Sequence, residues 1–87
     1  MGMRGVILSF TEEIVKLVWE KGKLIPGFDE NVYRKDDFGT WIFHIAYNNR
    51  SSTFGWEIDR IDSNGGDEID NLRPIQWQNL LKKNKVK

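Results

Sequence analysis

The hydrophobic positions of this chain change period twice. From Ser9 to Gly22, Phe10, Ile14, Leu17 and Val18 recur at helical spacing and line one face. Ser9 and Glu12 stand three apart, as in a capping box, with Thr11 as a competing cap, and Gly22 is the expected stop. Residues 22–40 carry Gly, Pro, Asp and Asn without a clean period and read as loop. Trp41 to Tyr47 is aromatic and β-branched and reads as a strand. After the polar turn Asn48–Thr53, Phe54 to Ile61 alternates: Phe54, Trp56, Ile58 and then Arg60 share one side, and Glu57, Asp59 and Ile61 the other. That is the pattern of a half-buried second strand, closing a hairpin with the first. Ser63–Gly66 is a glycine loop, Asn71-Leu72 opens a short connection, and Pro74 suits the first turn of a helix containing Ile75, Trp77, Leu80 and Leu81. The prediction is an α+β fold in one domain, residues 1–87. A helical N-terminal part (9–22) precedes a β-hairpin, and a helix follows it, with the ββα core at about 41–83.

Length and composition narrow the picture. A chain of 87 residues has a thin core, burying roughly 60–65% of its unfolded surface. Its four Trp, five Phe and two Tyr compensate with large apolar areas. The absence of cysteine excludes disulfides and thiolate zinc sites, and it fits a cytoplasmic setting. No apolar run approaches the roughly 20 residues that span a bilayer, so no membrane partner is expected.

Thirteen basic residues balance thirteen acidic ones, but unevenly along the chain. Glu57, Asp59, Asp62, Asp67, Glu68 and Asp70 face only Arg60 in their stretch, whereas Arg73, Lys82, Lys83, Lys85 and Lys87 follow without an acid. The split reads as a cation site beside a phosphate-binding tail, or as a solvated loop and a basic end.

These residues occur in a recognisable order: Trp19-Glu20-Lys21-Gly22, Arg34-Lys35-Asp36, Gly39-Thr40-Trp41-Ile42, Tyr47-Asn48-Asn49-Arg50-Ser51-Ser52, Gly55-Trp56-Glu57-Ile58-Asp59, Gly65-Gly66-Asp67, Asn71-Leu72-Arg73-Pro74-Ile75-Gln76-Trp77 and Asn79. Over about residues 19–83 the chain resembles small bacterial and phage proteins of the HNH endonuclease superfamily, whose ββα-metal core surrounds one divalent cation. The resemblance implies that Asp59 binds metal (Mg, Mn or Zn, if the site still functions) and that Asn71 orients the loop.

The chain departs from that pattern where the chemistry belongs. The family's general-base histidine is replaced by Arg60, which does not accept a proton at neutral pH. By spacing from Trp77, the last metal ligand falls at Leu80, with Asn79 one position early. Leucine offers a hard cation nothing. No confident catalytic residue remains; His44 is the one weak replacement base, set opposite Asp59 if the two predicted strands pair. Asp62 and Asp67 are further loop acids, read either as turn formers beside the glycines or as groups that would assist a metal. Arg60 would place a fixed charge beside Asp59, filling the cation's place and free to hold a phosphate. Arg50, Arg60, Lys82, Lys83 and Lys85 are the candidate nucleic-acid contacts, joined by the loop residues Arg34 and Lys35, and Trp41, Trp56 and Trp77 are expected in the core. Three readings stand: a degenerate HNH-like pseudoenzyme that binds DNA without efficient cleavage; a module for a protein partner, acting as inhibitor or accessory subunit; and an active metal-dependent nuclease with a relocated base.

Overall fold

Thr11 starts the first helix. The computed structural model describes residues 10–85, so Ser9 lies outside the described residues. Helix α1 runs Glu12–Trp19, and the Thr11 hydroxyl accepts the Ile14 N–H at 3.2 Å. Glu12 and Glu13 in the first turn suit the positive end of the helix. The buried stripe is rotated from the expected one: Ile14, Val15, Val18 and Trp19 face inward, while Leu17 is 40% exposed. Trp19, the largest residue on the helix, decides the rotation, because burying its ring outweighs burying Leu17. The helix ends before Gly22, in a turn where the Gly22 N–H reaches the Trp19 carbonyl. A Cβ on Gly22 would lie 3.0 Å from the Arg34 Cβ, so this glycine serves close packing.

The segment expected as loop holds a strand. β1 (Tyr33–Lys35) pairs antiparallel with β2 (Trp41–Phe43), Tyr33 opposite Phe43 and Lys35 opposite Trp41. The turn between them needs Gly39 at φ +83°. β2 ends at Phe43, and His44–Ala46 forms a 3-10 turn.

A hairpin followed by a helix is present, but its second strand differs from expectation. β3 (Trp56–Arg60) pairs with β4 (Leu72–Gln76), with Asp59 opposite Arg73 and Ile58 opposite Pro74. Since β2 is already paired with β1, the 41–47 stretch meets β3 through a parallel bridge at Tyr47–Trp56 and the Trp56 indole N–H to His44 carbonyl bond at 3.2 Å, and the Phe43 N–H bonds the Phe54 carbonyl just ahead of β3 at 3.0 Å. Pro74 therefore sits in a strand. The Ile61 N–H bonds to the Asn71 carbonyl; counting from that pair, Leu72, Pro74 and Gln76 occupy the positions whose N–H points away from β3. A residue without an N–H is tolerated there. The Leu72 N–H turns back to the Ile69 carbonyl. Helix α2 (Trp77–Lys85) follows directly, and the Gln76 side-chain oxygen caps it by accepting the N–H groups of Gln78 and Asn79.

Val18, Trp19, Ile42, Trp56 and Leu72 form the core, with Ile58 and Ile69 packed against it. Trp19 and Trp56 meet at 5.4 Å between ring centroids, and each contributes roughly 4–6 kcal/mol of apolar burial. Trp41 and Trp77, also expected inside, are only half-buried. Among the described residues no helix is long and apolar enough to cross a membrane.

Candidate functional site

Alternation along β3 sends Trp56 and Ile58 into the core and turns Asp59 to the other face, beside Arg73 of β4. Asp59 is only 6% exposed, and an ionised carboxylate at such a place needs partners. It has two. The Lys83 ammonium, reaching from α2, lies 2.7 and 2.8 Å from the two carboxylate oxygens, and the Arg73 Nε donates to Oδ2 at 2.9 Å. Lys83 also donates to the Arg60 carbonyl at 2.9 Å, and Arg73 reaches Asp37 at 3.2 Å. Burial works against the Arg73 charge, but its hydrogen bond and attraction to Asp59, then those to Asp37, outweigh it and raise its pKa.

Arg60 does not fill the cation's place. Its guanidinium turns to Asp67 at 2.6 Å, on the exposed loop. That bond raises the Arg60 pKa and lowers that of Asp67. The strand alternation explains the divergence, since neighbours along β3 point to opposite faces. The cations on Asp59 come from residues distant in sequence, and lysine at 83 was expected to face solvent or phosphate instead.

The other candidates scatter. His44 is not opposite Asp59: its ring stacks on Trp19 at 4.4 Å, its Nδ1 lies 2.9 Å from the Asn31 carbonyl, and Arg73 holds the place across from Asp59. The side-chain amide of Asn79 donates to Asp36 Oδ2 and to the Thr40 hydroxyl, both at 2.9 Å, and so belongs to a different cluster. Leu80 does border the cleft with Asp59, Arg60 and Lys83. Asn71 ties down the glycine loop: its side chain accepts the Asp62 N–H and donates to the carbonyls of Asp62 and Gly66. Arg50 makes a two-pronged pair with Glu57 at 2.6 and 2.9 Å, and its guanidinium lies over the Trp77 ring at 5.9 Å. Lys82 and Lys85 make no ion pair among the described residues, and Lys87 lies outside them. Arg34 is structural: it is buried against Trp19 and donates to the carbonyls of Glu20, Gly22 and Glu30.

The cleft bounded by Phe10, Ile14, Ile58, Asp59, Leu80 and Lys83 encloses about 570 Å³. Its donor set does not fit a divalent metal. Both oxygens of its one buried carboxylate are engaged by cations, leucine lies alongside, and no group of three His, Cys, Asp or Glu able to hold a metal occurs among the described residues.

A second buried acid was missed by the sequence reading. Asp36, 1% exposed, accepts the N–H groups of Phe38 and Thr40 on Oδ1, and the Gln76 N–H and Asn79 amide on Oδ2, all at 2.9–3.0 Å. It joins the β1–β2 turn to the junction of β4 and α2. An Asp three residues ahead of a Gly is a turn signal in sequence; the long-range half of its contacts is not. Compared with family models, curated proteins and solved structures, the chain matches none.

Proposed function

We propose that this chain is a degenerate HNH-like domain that binds nucleic acid and does not cleave it. The observation that carries the reading is the Lys83 ammonium lying across both oxygens of Asp59, with Arg73 beside it. A metal would have to displace two cations from a buried carboxylate, and it would find Leu80 and Arg60 in place of a ligand and a base. The stacked, half-buried His44 offers no substitute base. Lys82 and Lys85 on α2, which make no ion pair among the described residues, supply charge for phosphate. A cytoplasmic setting, in a bacterial or phage context, accompanies this reading. A second reading, a module for a protein partner, draws on the internal pairing of Arg50, Arg60 and Lys83, which removes charge that nucleic acid would use.

The test is incubation with supercoiled plasmid and Mg²⁺, Mn²⁺, Ni²⁺ or Zn²⁺, together with gel-shift titrations of the same DNA. The expected result is a salt-sensitive shift without nicking. Nicking that disappears in Asp59→Ala would overturn the proposal, and so would the absence of any nucleic-acid binding at low salt. In an Arg60→His, Leu80→Asn pair the ammonium stays on Asp59 and nicking stays absent. Adding Lys83→Ala to that pair is expected to give the first metal-dependent nicking.

A further inference from the structure

A groove of about 400 Å³ runs between β2 and the start of α2, bordered by Trp41, Phe54, Gln78, Asn79 and Lys82. Its floor is fixed. The Gln76 amide donates to the Thr53 carbonyl and to Gln78 Oε1, and Asn79 is held by Asp36 and Thr40. Its rim is open: Phe54 is 40% exposed, and Trp41 continues into a surface of rings, meeting Phe28 edge-on at 4.9 Å and Tyr33 at 5.6 Å. Tyr33 in turn meets Phe54 edge-on at 6.0 Å.

Two charges beside these rings, Lys82 and Lys35, make no ion pair among the described residues. Lys82 borders the groove, and Lys35, opposite Trp41 in the β1–β2 register, shares the ring-bearing face. Among the described residues no acid borders the groove. The Asp59 cleft is the reverse, with each cation matched. Exposed π faces beside unmatched cations, with amide groups between them, are the chemistry that holds unstacked bases and their phosphates. A duplex keeps its bases stacked and offers no free face to Trp41 or Phe54.

We propose that this groove binds single-stranded nucleic acid, with a base on Trp41 and Phe54 and the adjoining phosphate on Lys82. The inference rests on the nucleic-acid reading above and places the contact in the groove beside Lys82, away from the Asp59 cleft.

Anisotropy titrations of labelled twelve-nucleotide oligo-dT and oligo-U, beside a labelled duplex of equal length, test it on the full chain. The single strands are expected to bind more tightly than the duplex. Phe54→Ala is expected to weaken them about tenfold, and Lys82→Ala to reduce the salt slope by about 0.7. Glu13→Ala on α1 serves as the neutral control, and circular dichroism melts confirm that each variant folds. Phe54→Leu, which keeps an apolar side chain without the ring, is expected to fall with Phe54→Ala. Duplex-only binding, or a loss in Arg60→Ala with none in Phe54→Ala or Lys82→Ala, would overturn the groove and leave the nucleic-acid reading standing. No binding of any strand would overturn both and leave the aromatic face to a protein partner.

Discussion

Two buried carboxylates lie near opposite ends of β4, and they are satisfied in different ways. Asp36 is held by four N–H donors, three of them backbone, and no cation among the described residues pairs with it. Asp59 is held by an ammonium and a guanidinium. The first arrangement depends on the fold being intact, because its donors come from the β1–β2 turn, β4 and α2. The second is made by long side chains that can swing to water if released. The difference separates an acid held mainly by backbone N–H groups from one held by two side-chain cations.

The largest effect that would sharpen this contrast is expected from Asp36→Ala. It leaves four donors without this acceptor, one buried and three part-buried, at a cost of roughly 3–5 kcal/mol, read as a lower urea midpoint. Asp36→Asn keeps one oxygen and is expected to lose less. Asp59→Ala should cost about 1–3 kcal/mol, because Lys83 and Arg73 regain solvent. A larger loss than Asp36→Ala would break the comparison. Lys83→Met leaves Arg73 on Asp59 and is expected to cost about 1 kcal/mol, measured in the same denaturation series.

The smallest effect concerns the exposed Arg60–Asp67 pair. The bond from Arg60 lowers the folded pKa of Asp67 below its ordinary value. Its contribution is therefore present above the ordinary carboxylate range and is lost as pH falls through the lowered folded value. In an NMR titration, Asp67 should titrate below the usual aspartate range, and Arg60→Ala should move it back up. An unchanged midpoint in that variant would remove the pair as the cause.

Much of the frame was legible in the residues. α1, the β3 alternation and the presence of a C-terminal helix follow from period, but the start of that helix does not. β1 was hidden because a three-residue strand shows too little alternation, although Gly39 ahead of Trp41 marked a turn. The pairing of β3 was misjudged because the strand nearest in sequence was taken as its partner, and Pro74 was read as a helix start when a strand position whose N–H would point away from the partner strand accepts it as well. At the site, the identity of Asp59 was legible and its partners were not. Arg73 and Lys83 stand fourteen and twenty-four residues away, and only the fold sets them against it.

The pairing of β4 has a consequence for behaviour at high concentration. A two-stranded ribbon exposes an edge on which a foreign strand can add. On β4 the donors of that edge are gone: the Leu72 N–H is turned back to Ile69, Pro74 has none, and the Gln76 N–H is held by Asp36. A strand from another copy would find no free N–H donor along this edge, and one of the three is occupied by the same Asp36 that fixes the β4–α2 junction.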